Sequence, residues 1–244
     1  MTVATWNIHG CFGPDGRCEP ERVVAGLKEI DADIVALQEV GWLPFLGKSG
    51  ESAVMAQLSY LAAAAGYEAR MPAAADGGRF TNAVLSRFPL GEHRAIDLTQ
   101  PGRQLRGALD VDVAVGGQAV RVIAAHLGLR APERSRQIAE VIARLEAGPP
   151  MPTLFLGDFN EWLPDSPRLK RLRRHFSECA TARSFPSRMP ALQLDRIYMT
   201  REFELAEVRL LRTAVTSQAS DHLPVRATIT LPTSAAPTAP TPAP

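Results

Sequence analysis

Cysteine is scarce in this sequence. Three residues among 244 (Cys11, Cys18 and Cys179) are an odd number and too few for a disulfide-stapled scaffold, so the expected compartment is the reducing cytoplasm. An excess of one charge is also missing. Lys and Arg total 27 against 26 Asp and Glu, a formal net charge of +1. That balance excludes a protein that coats nucleic acid by bulk electrostatics, although a local basic patch remains open. Hydrophobic runs are short and broken by charges, so no window reads as a membrane span. No secretory signal precedes the first strand-like segment, Thr2–Ile8. Aromatic residues reach only 6%, which counts against a surface of rings for stacking on bases. No repeat at a solenoid period is visible.

What is present suffices for a core: 45% of residues are hydrophobic, which excludes disorder along the whole length. One stretch differs. Pro232–Pro244 contains only Pro, Thr, Ser and Ala. It cannot bury apolar surface and is expected to be a disordered or extended tail. One domain is therefore expected over residues 1–231.

Within that domain, apolar runs of strand length occur at Thr2–Ile8, Ile34–Gln38, Ala83–Ser86, Thr153–Leu156 and Ile197–Met199. Alternation marks Leu109–Val115 and Val225–Leu231. Gly116-Gly117 before Gln118–Ala125 predicts a tight hairpin and antiparallel pairing. Helical periodicity appears from Pro20 through Ile30, from Ser52 to Ala65 and from Pro132 to Ala147, with a shorter piece from Pro167 to about His175. Buried strands, hairpins and amphipathic helices together predict an α/β sandwich, sheets of mixed pairing covered by helices.

The residues able to do chemistry share one placement: each ends, or directly flanks, an apolar strand. Asn7 follows the first, Glu39 the second, His126 the run Val120–Ala125, and Asp158 and Asn160 the run Thr153–Leu156. Asp195 sits just before Ile197, and Asp221-His222 just before the last strand. Side chains held at the ends of a rigid sheet are placed accurately. Glu39, Asp221 and Asn7 offer hard oxygen donors, a set that suits Mg²⁺; each alone also reads as a turn or cap. An Asp195–His222 hydrogen bond would fix a tautomer and raise imidazole basicity. His126 alone reads as structural. Asp158 and Asn160, two apart, share a side and could hold a water between them; an Asx-turn is the alternative. Arg106, before Leu109–Val115, could clamp a phosphate or simply face solvent.

Taken in order, Thr5-Trp6-Asn7, Gln38-Glu39-Val40, Ala83–Pro89, His126-Leu127, Gly157-Asp158-Phe159-Asn160, Leu194–Ile197 and Ser220–Val225 resemble the endonuclease/exonuclease/phosphatase superfamily. Small bacterial members are the nearest likeness. The resemblance implies a four-layer α/β/β/α sandwich of two mixed sheets flanked by helices, with its site where the loops of both sheets converge. It implies Mg²⁺, with Mn²⁺ as a substitute, at Glu39, Asn7 and Asp221. His222, paired with Asp195, becomes a general base or a phosphate-stabilising cation. Asp158 activates or orients the attacking water, or protonates the leaving group. Asn160 and His126 hold the non-bridging oxygens, Arg106 binds phosphate, and Asn82 contacts substrate. Two departures count against abasic-site repair: His9 stands where the apurinic/apyrimidinic endonucleases carry Asp, and Arg106 where they carry Tyr.

Three readings of function follow. The first is a Mg²⁺-dependent phosphodiesterase or phosphatase acting on a small-molecule or lipid-head-group ester. Neutral net charge supports it, as does a segment with Trp42, Leu43, Phe45 and Leu46 that could touch a lipid surface or pack under the sheet. The second is a nuclease, with nucleic acid bound by Arg168, Lys170, Arg171, Arg173 and Arg174; a solvated helix face explains that run equally well. The third is a non-catalytic binding module. It is disfavoured because every catalytic position carries a competent residue. A monomer with peripheral rather than spanning membrane contact is expected.

Overall fold

The structure is a computed structural model that describes residues 1–41, 51–72 and 81–231, with backbone alone at 51 and 81. The Trp42–Leu46 segment and the tail from Pro232 lie outside the described residues. In chain order the elements begin β1 (Thr2–Asn7), α1 (Pro20–Ile30), β2 (Ile34–Val40), α2 (Glu51–Ala65), β3 (Glu68–Arg70) and β4 (Thr81–Ser86). They continue with β5 (Leu90–Asp97), β6 (Gly107–Val115), β7 (Gln118–His126), α3 (Ala131–Ala147), β8 (Thr153–Asp158) and α4 (Pro167–Leu172). The last are β9 (Glu178–Thr181), β10 (Asp195–Met199), β11 (Glu204–Leu210), α5 (Thr216–Ala219) and β12 (Val225–Thr230).

Two six-stranded sheets result, ordered β11-β12-β1-β2-β4-β3 and β5-β6-β7-β8-β10-β9. Each has one parallel pair at its centre, β1 with β2 and β7 with β8, and antiparallel strands on either side. A parallel pair needs a crossover. Helices α1 and α3 supply them.

Alternation along the strands sets the layers. In β2, Ile34 and Ala36 face the other sheet, while Val35 and Leu37 face the helices. In β8, Leu154 and Leu156 point into the space between the sheets and Phe155 points outward. Three apolar layers follow. The middle one joins the sheets through Val111, Val122, Leu156 and Val225. One outer layer packs Trp6 and Leu37 against Leu27 of α1 and Leu58 of α2. The other packs Phe155, Phe159 and Tyr198 against Val141 of α3 and Leu169 of α4. The molecule is a four-layer α/β/β/α sandwich. No described helix is long and apolar enough to cross a membrane.

The expected strands and the β6–β7 hairpin at Gly116-Gly117 are present. α4 ends at Leu172 rather than near His175. Its apolar stripe turns inward, and the basic run divides. Arg168 pairs with Glu161, Arg173 lies 3.4 Å from Asp165, and Lys170, Arg171 and Arg174 face solvent.

Candidate active site

The carboxyl ends of parallel strands are where ligands bind in sheets of this kind. Here both parallel pairs end at the same edge of the sandwich. Asn7 is paired with Gln38 in one sheet and His126 with Asp158 in the other. The Asn7 amide bridges the sheets: Nδ2 donates to Glu39 Oε1 at 3.0 Å and to Asp158 Oδ2 at 3.2 Å.

Local backbone aims these groups. The β2–β4 register slips between Leu37 and Val40, a bulge that frees Glu39 from the ladder and re-aims it. Glu39 (φ 59°) and Asn160 (φ 48°) both adopt the left-handed region that non-glycine residues avoid. Gly157 lets β8 approach β7 beneath the site. A Cβ there would meet the Ala125 carbonyl oxygen at 1.8 Å.

His222 is the most strongly fixed side chain of the cluster. Its Nδ1 lies 2.8 Å from Asp195 Oδ2, which also accepts from Ser184 Oγ at 2.5 Å. Its carbonyl accepts from the Trp6 indole at 3.0 Å, and the Phe185 ring packs 4.7 Å away. Nε2 is left facing Asp158 Oδ2 at 3.7 Å. Burial opposes charge on this ring, but Asp195 and Asp158 outweigh burial and hold its pKa up at about 10. His222 is therefore an imidazolium in this state.

His126 has the opposite character. Burial pushes its pKa down to about 3, with only partial compensation from Asp158. The Asn160 amide nitrogen donates to the Leu127 carbonyl at 2.9 Å, which fixes its orientation, and reaches His126 Nε2 at 3.0 Å. Nε2 is then the acceptor and the neutral ring carries its proton on Nδ1, 3.7 Å from Glu39 Oε1. His126 offers a dipole rather than a charge.

Arg106 is not the surface arginine that its local sequence allows. It is 8% exposed, places NH1 3.5 Å from His126 Nδ1 and has a buried Nε without a partner. Burial lowers its pKa, and Glu39 and Asp158 push it back. Asn82 is buried behind it, donating to the Gly107 carbonyl at 2.6 Å with Oδ1 unpartnered. Asp158 accepts from the Asn160 backbone N–H at 2.9 Å, the Asx-turn bond. The turn and the functional reading coexist, because Oδ2 still faces Asn7, His126 and His222.

A hard divalent cation fits this donor set. Glu39 is partly buried, and desolvation raises its pKa; Asp158 and Asp221 add to the rise. Such crowding of carboxylates is what a cation relieves. Asp221 stands beside Glu39 at the rim, with Oδ1 3.7 Å from His9 Nδ1. Asn7 is the exception in the expected set. Its Oδ1 accepts the His9 N–H at 3.0 Å, so it offers oxygen to a cation only with the amide turned over. Asp158, Asp195 and His222 also lie close enough to share an ion. Within that trio His222 Nδ1 and Asp195 Oδ2 are already joined at 2.8 Å, and the same oxygen accepts from Ser184 Oγ, so it forms a hydrogen-bonded relay. The thiols are poorly ionised: burial raises the pKa of Cys11 and Cys179, and partial desolvation with Glu21 nearby raises that of the exposed Cys18.

Two contributors, His9 and Glu161, do not read as site residues from the sequence, although His9 stands out as a departure from the apurinic/apyrimidinic endonucleases. His9 lies against Asp221 and acts electrostatically on Glu39. Glu161, 2% exposed, holds Arg134 at 3.4 Å and Arg168, bracing the loop after Asn160. A carboxylate directly after Gly-Asp-Phe-Asn was the available signal. A separate cavity of about 350 Å³, lined by Arg94, Asp110, Arg121 and Arg144, lies toward the opposite ends of β7 and β8 and has no part in this site.

This order of residues, on this fold, is matched by the profile of the Endonuclease/Exonuclease/phosphatase family over residues 4–222. The chain belongs to that family. Members are phosphoric ester hydrolases, and that broad class extends to this chain. Uncharacterized protein YbhP of Escherichia coli (strain K12) is 32% identical over 255 residues, covering 94% of this chain and 96% of its own length. An endonuclease/exonuclease/phosphatase from Beutenbergia cavernae superposes with a TM-score of 0.73 at 25% identity, over 95% of this chain and 71% of that one. The Bacteroides thetaiotaomicron mannosyl-6-phosphatase Bt3783 shares the fold, with a TM-score of 0.72 at 17% identity over 94% and 99% of the two chains.

Proposed function

We propose that this chain hydrolyses phosphate esters of small molecules or lipid head groups, with Mg²⁺ as its cofactor and Mn²⁺ as a substitute. The carrying observation is the convergence on Asp158 Oδ2 of His222 at 3.7 Å, His126 at 3.5 Å and Asn7 at 3.2 Å. Of these groups the Asn7 amide and His222 Nε2 present N–H to the carboxylate, while His126 Nε2 packs against it without donating; a carboxylate so placed can accept a proton from an attacking water.

Glu39 and Asp221 would hold the metal, joined by Asn7 only if its amide turns over and gives up its bond to Asp158; the metal would neutralise phosphate charge and stabilise the leaving oxygen. Asp158 orients and deprotonates the water. That water attacks phosphorus as its proton passes to Asp158, the P–O ester bond breaks, and the leaving alkoxide takes a proton from solvent. Asp195 and Asp158 favour the charged form of His222, which suits it to stabilise the negative charge that builds on the phosphoryl oxygens. Asp195 keeps it charged and aimed. His126 would bind a non-bridging oxygen as a neutral donor through Nδ1–H, with the Asn160 amide fixing its ring, and Arg106 supplies the second cation. A mannosyl-6-phosphatase on the same fold supports an ester of small size.

The deciding experiment is a hydrolysis panel with and without Mg²⁺, using His222→Ala as the blank. It offers bis-p-nitrophenyl phosphate, hexose 6-phosphates, phospholipid head groups and plasmid DNA. Mg²⁺-dependent turnover of the small or lipid-borne esters, lost in His222→Ala, is expected. Turnover of DNA alone would transfer the assignment to a nuclease. Turnover that ignores chelator would remove the metal role of Glu39.

A further inference from the structure

Large apolar side chains exposed on the described chain are unevenly placed. Two, Met55 on α2 and Val208 on β11, lie apart from the site. The other five, Leu105, Leu129, Trp162, Leu163 and Met189, stand on loops that leave the site edge of the sandwich. Their exposure is high: Leu129 66%, Trp162 63%, Leu163 63% and Met189 76%.

These tips are braced. Leu105 directly precedes the buried Arg106. Arg134 donates to the Leu129 carbonyl at 2.6 Å and reaches Glu161, which accepts from the Leu163 N–H at 3.2 Å. Met189 belongs to a loop tied to Asp221 through Ser187 N–H at 2.7 Å, and Phe185 of that loop packs on His222. Among the described residues, these apolar groups around the site are held out into water and have no packing role.

Cations accompany the tips. Arg103, Arg130 and Arg188 are exposed, each within two residues of an apolar tip. Acidic groups on the same loops are already engaged: Glu161 is buried by two arginines, and Asp165 lies 3.4 Å from Arg173. Leucine and methionine do not stack on bases, and a single tryptophan makes no stacking track. Aliphatic tips interleaved with arginine suit a surface with an apolar interior and an anionic face.

We propose that this rim seats the protein on an anionic phospholipid surface, so that the ester reaching the site is carried by a lipid of that surface. The lipid ester as substrate rests on the hydrolase reading above; the seating does not.

The test is flotation of the full chain with vesicles of phosphatidylcholine alone or mixed with phosphatidylglycerol, at low and high salt. Partition onto the mixed vesicles, weakened by salt, is expected. Trp162→Glu combined with Leu163→Glu should cut it at least about tenfold, because binding scales with the apolar area inserted. Arg103→Glu with Arg130→Glu should cost at least about fivefold per charge, on anionic vesicles only. Thermal melts verify folding, and Leu129→Gln with Met189→Gln serves as a second pair if the first does not fold. No partition at low salt overturns the proposal, as does partition unaltered in the folded variants or retention of duplex DNA in place of vesicles. Turnover of bis-p-nitrophenyl phosphate, measured in parallel, separates the two claims. Partition without turnover sinks the hydrolase reading and leaves the rim standing; turnover without partition does the reverse.

Discussion

His126 and His222 approach the same oxygen of Asp158, at 3.5 and 3.7 Å, yet they hold opposite charge states. The difference is Asp195, which bonds only His222. A pH signature follows from the signs. An unfolded histidine titrates near about 6.5. His126 folds with its pKa near 3, so between 3 and 6.5 the unfolded chain binds the extra proton and stability rises with pH. His222 folds with its pKa near 10, so its stabilisation is complete below about 6.5 and is lost as pH rises toward 10. The melting temperature of the metal-free chain should peak near neutrality, and His222→Gln should flatten the alkaline limb. A variant whose alkaline limb matches the parent would refute the Asp195–His222 account. At the same scale, Glu39→Gln keeps the shape but removes a metal-binding charge. Turnover should fall about 10²–10³-fold, with a weaker response to Mg²⁺, read from metal titrations of kcat. These roles were only half legible. Motif order pointed to the residues, but the charge on an imidazole depends on which carboxylate, distant in sequence, lies beside it.

The four strands that pattern reading did not find, β3, β5, β9 and β11, are the four sheet edges. The reason is physical. An edge strand buries little, so it carries no apolar run and no clean alternation: β5 has five consecutive exposed residues, and β11 has no buried one. Central strands such as β2 and β8 bury both faces and announce themselves as apolar runs. Helix α1 shows how an element reaches the site without touching substrate. A Cβ on Gly26 would meet the Trp6 ring at 2.6 Å, and the Trp6 indole holds the His222 carbonyl. Gly26→Ala should cost about 1–3 kcal/mol through overpacking and lower kcat well below the melting temperature. Denaturant melts and kinetics check this together; an unchanged kcat would mean that Trp6 does not relay the strain.

At the scale of the molecule, each sheet brings one βαβ unit, and the two units present their strand ends to a shared crevice. The chemistry therefore belongs to residues 1–231 together, and neither sheet alone holds a complete site. Removing Pro232–Pro244 should leave the melting temperature and turnover within error, because that composition has no apolar surface to bury. A loss of either would assign the tail a structural role. The chain should elute as a monomer in light-scattering chromatography; a dimer that buries Trp162 and Met189 would supply another cover for the exposed rim.

By itself the sequence determined the central strands, helices α1 to α4 but not the short α5, and the family, and it proposed the roster of reactive side chains. Each of those is written locally, in the period of apolar residues or in short motifs such as Gly157-Asp158-Phe159-Asn160. Tertiary structure alone decided the edge strands, the left-handed turn at Glu39, the burial of Arg106, the brace at Glu161 and the opposite protonation of two histidines. These arise from contacts between residues far apart in the chain, and desolvation and Coulomb interaction act through space rather than along the sequence.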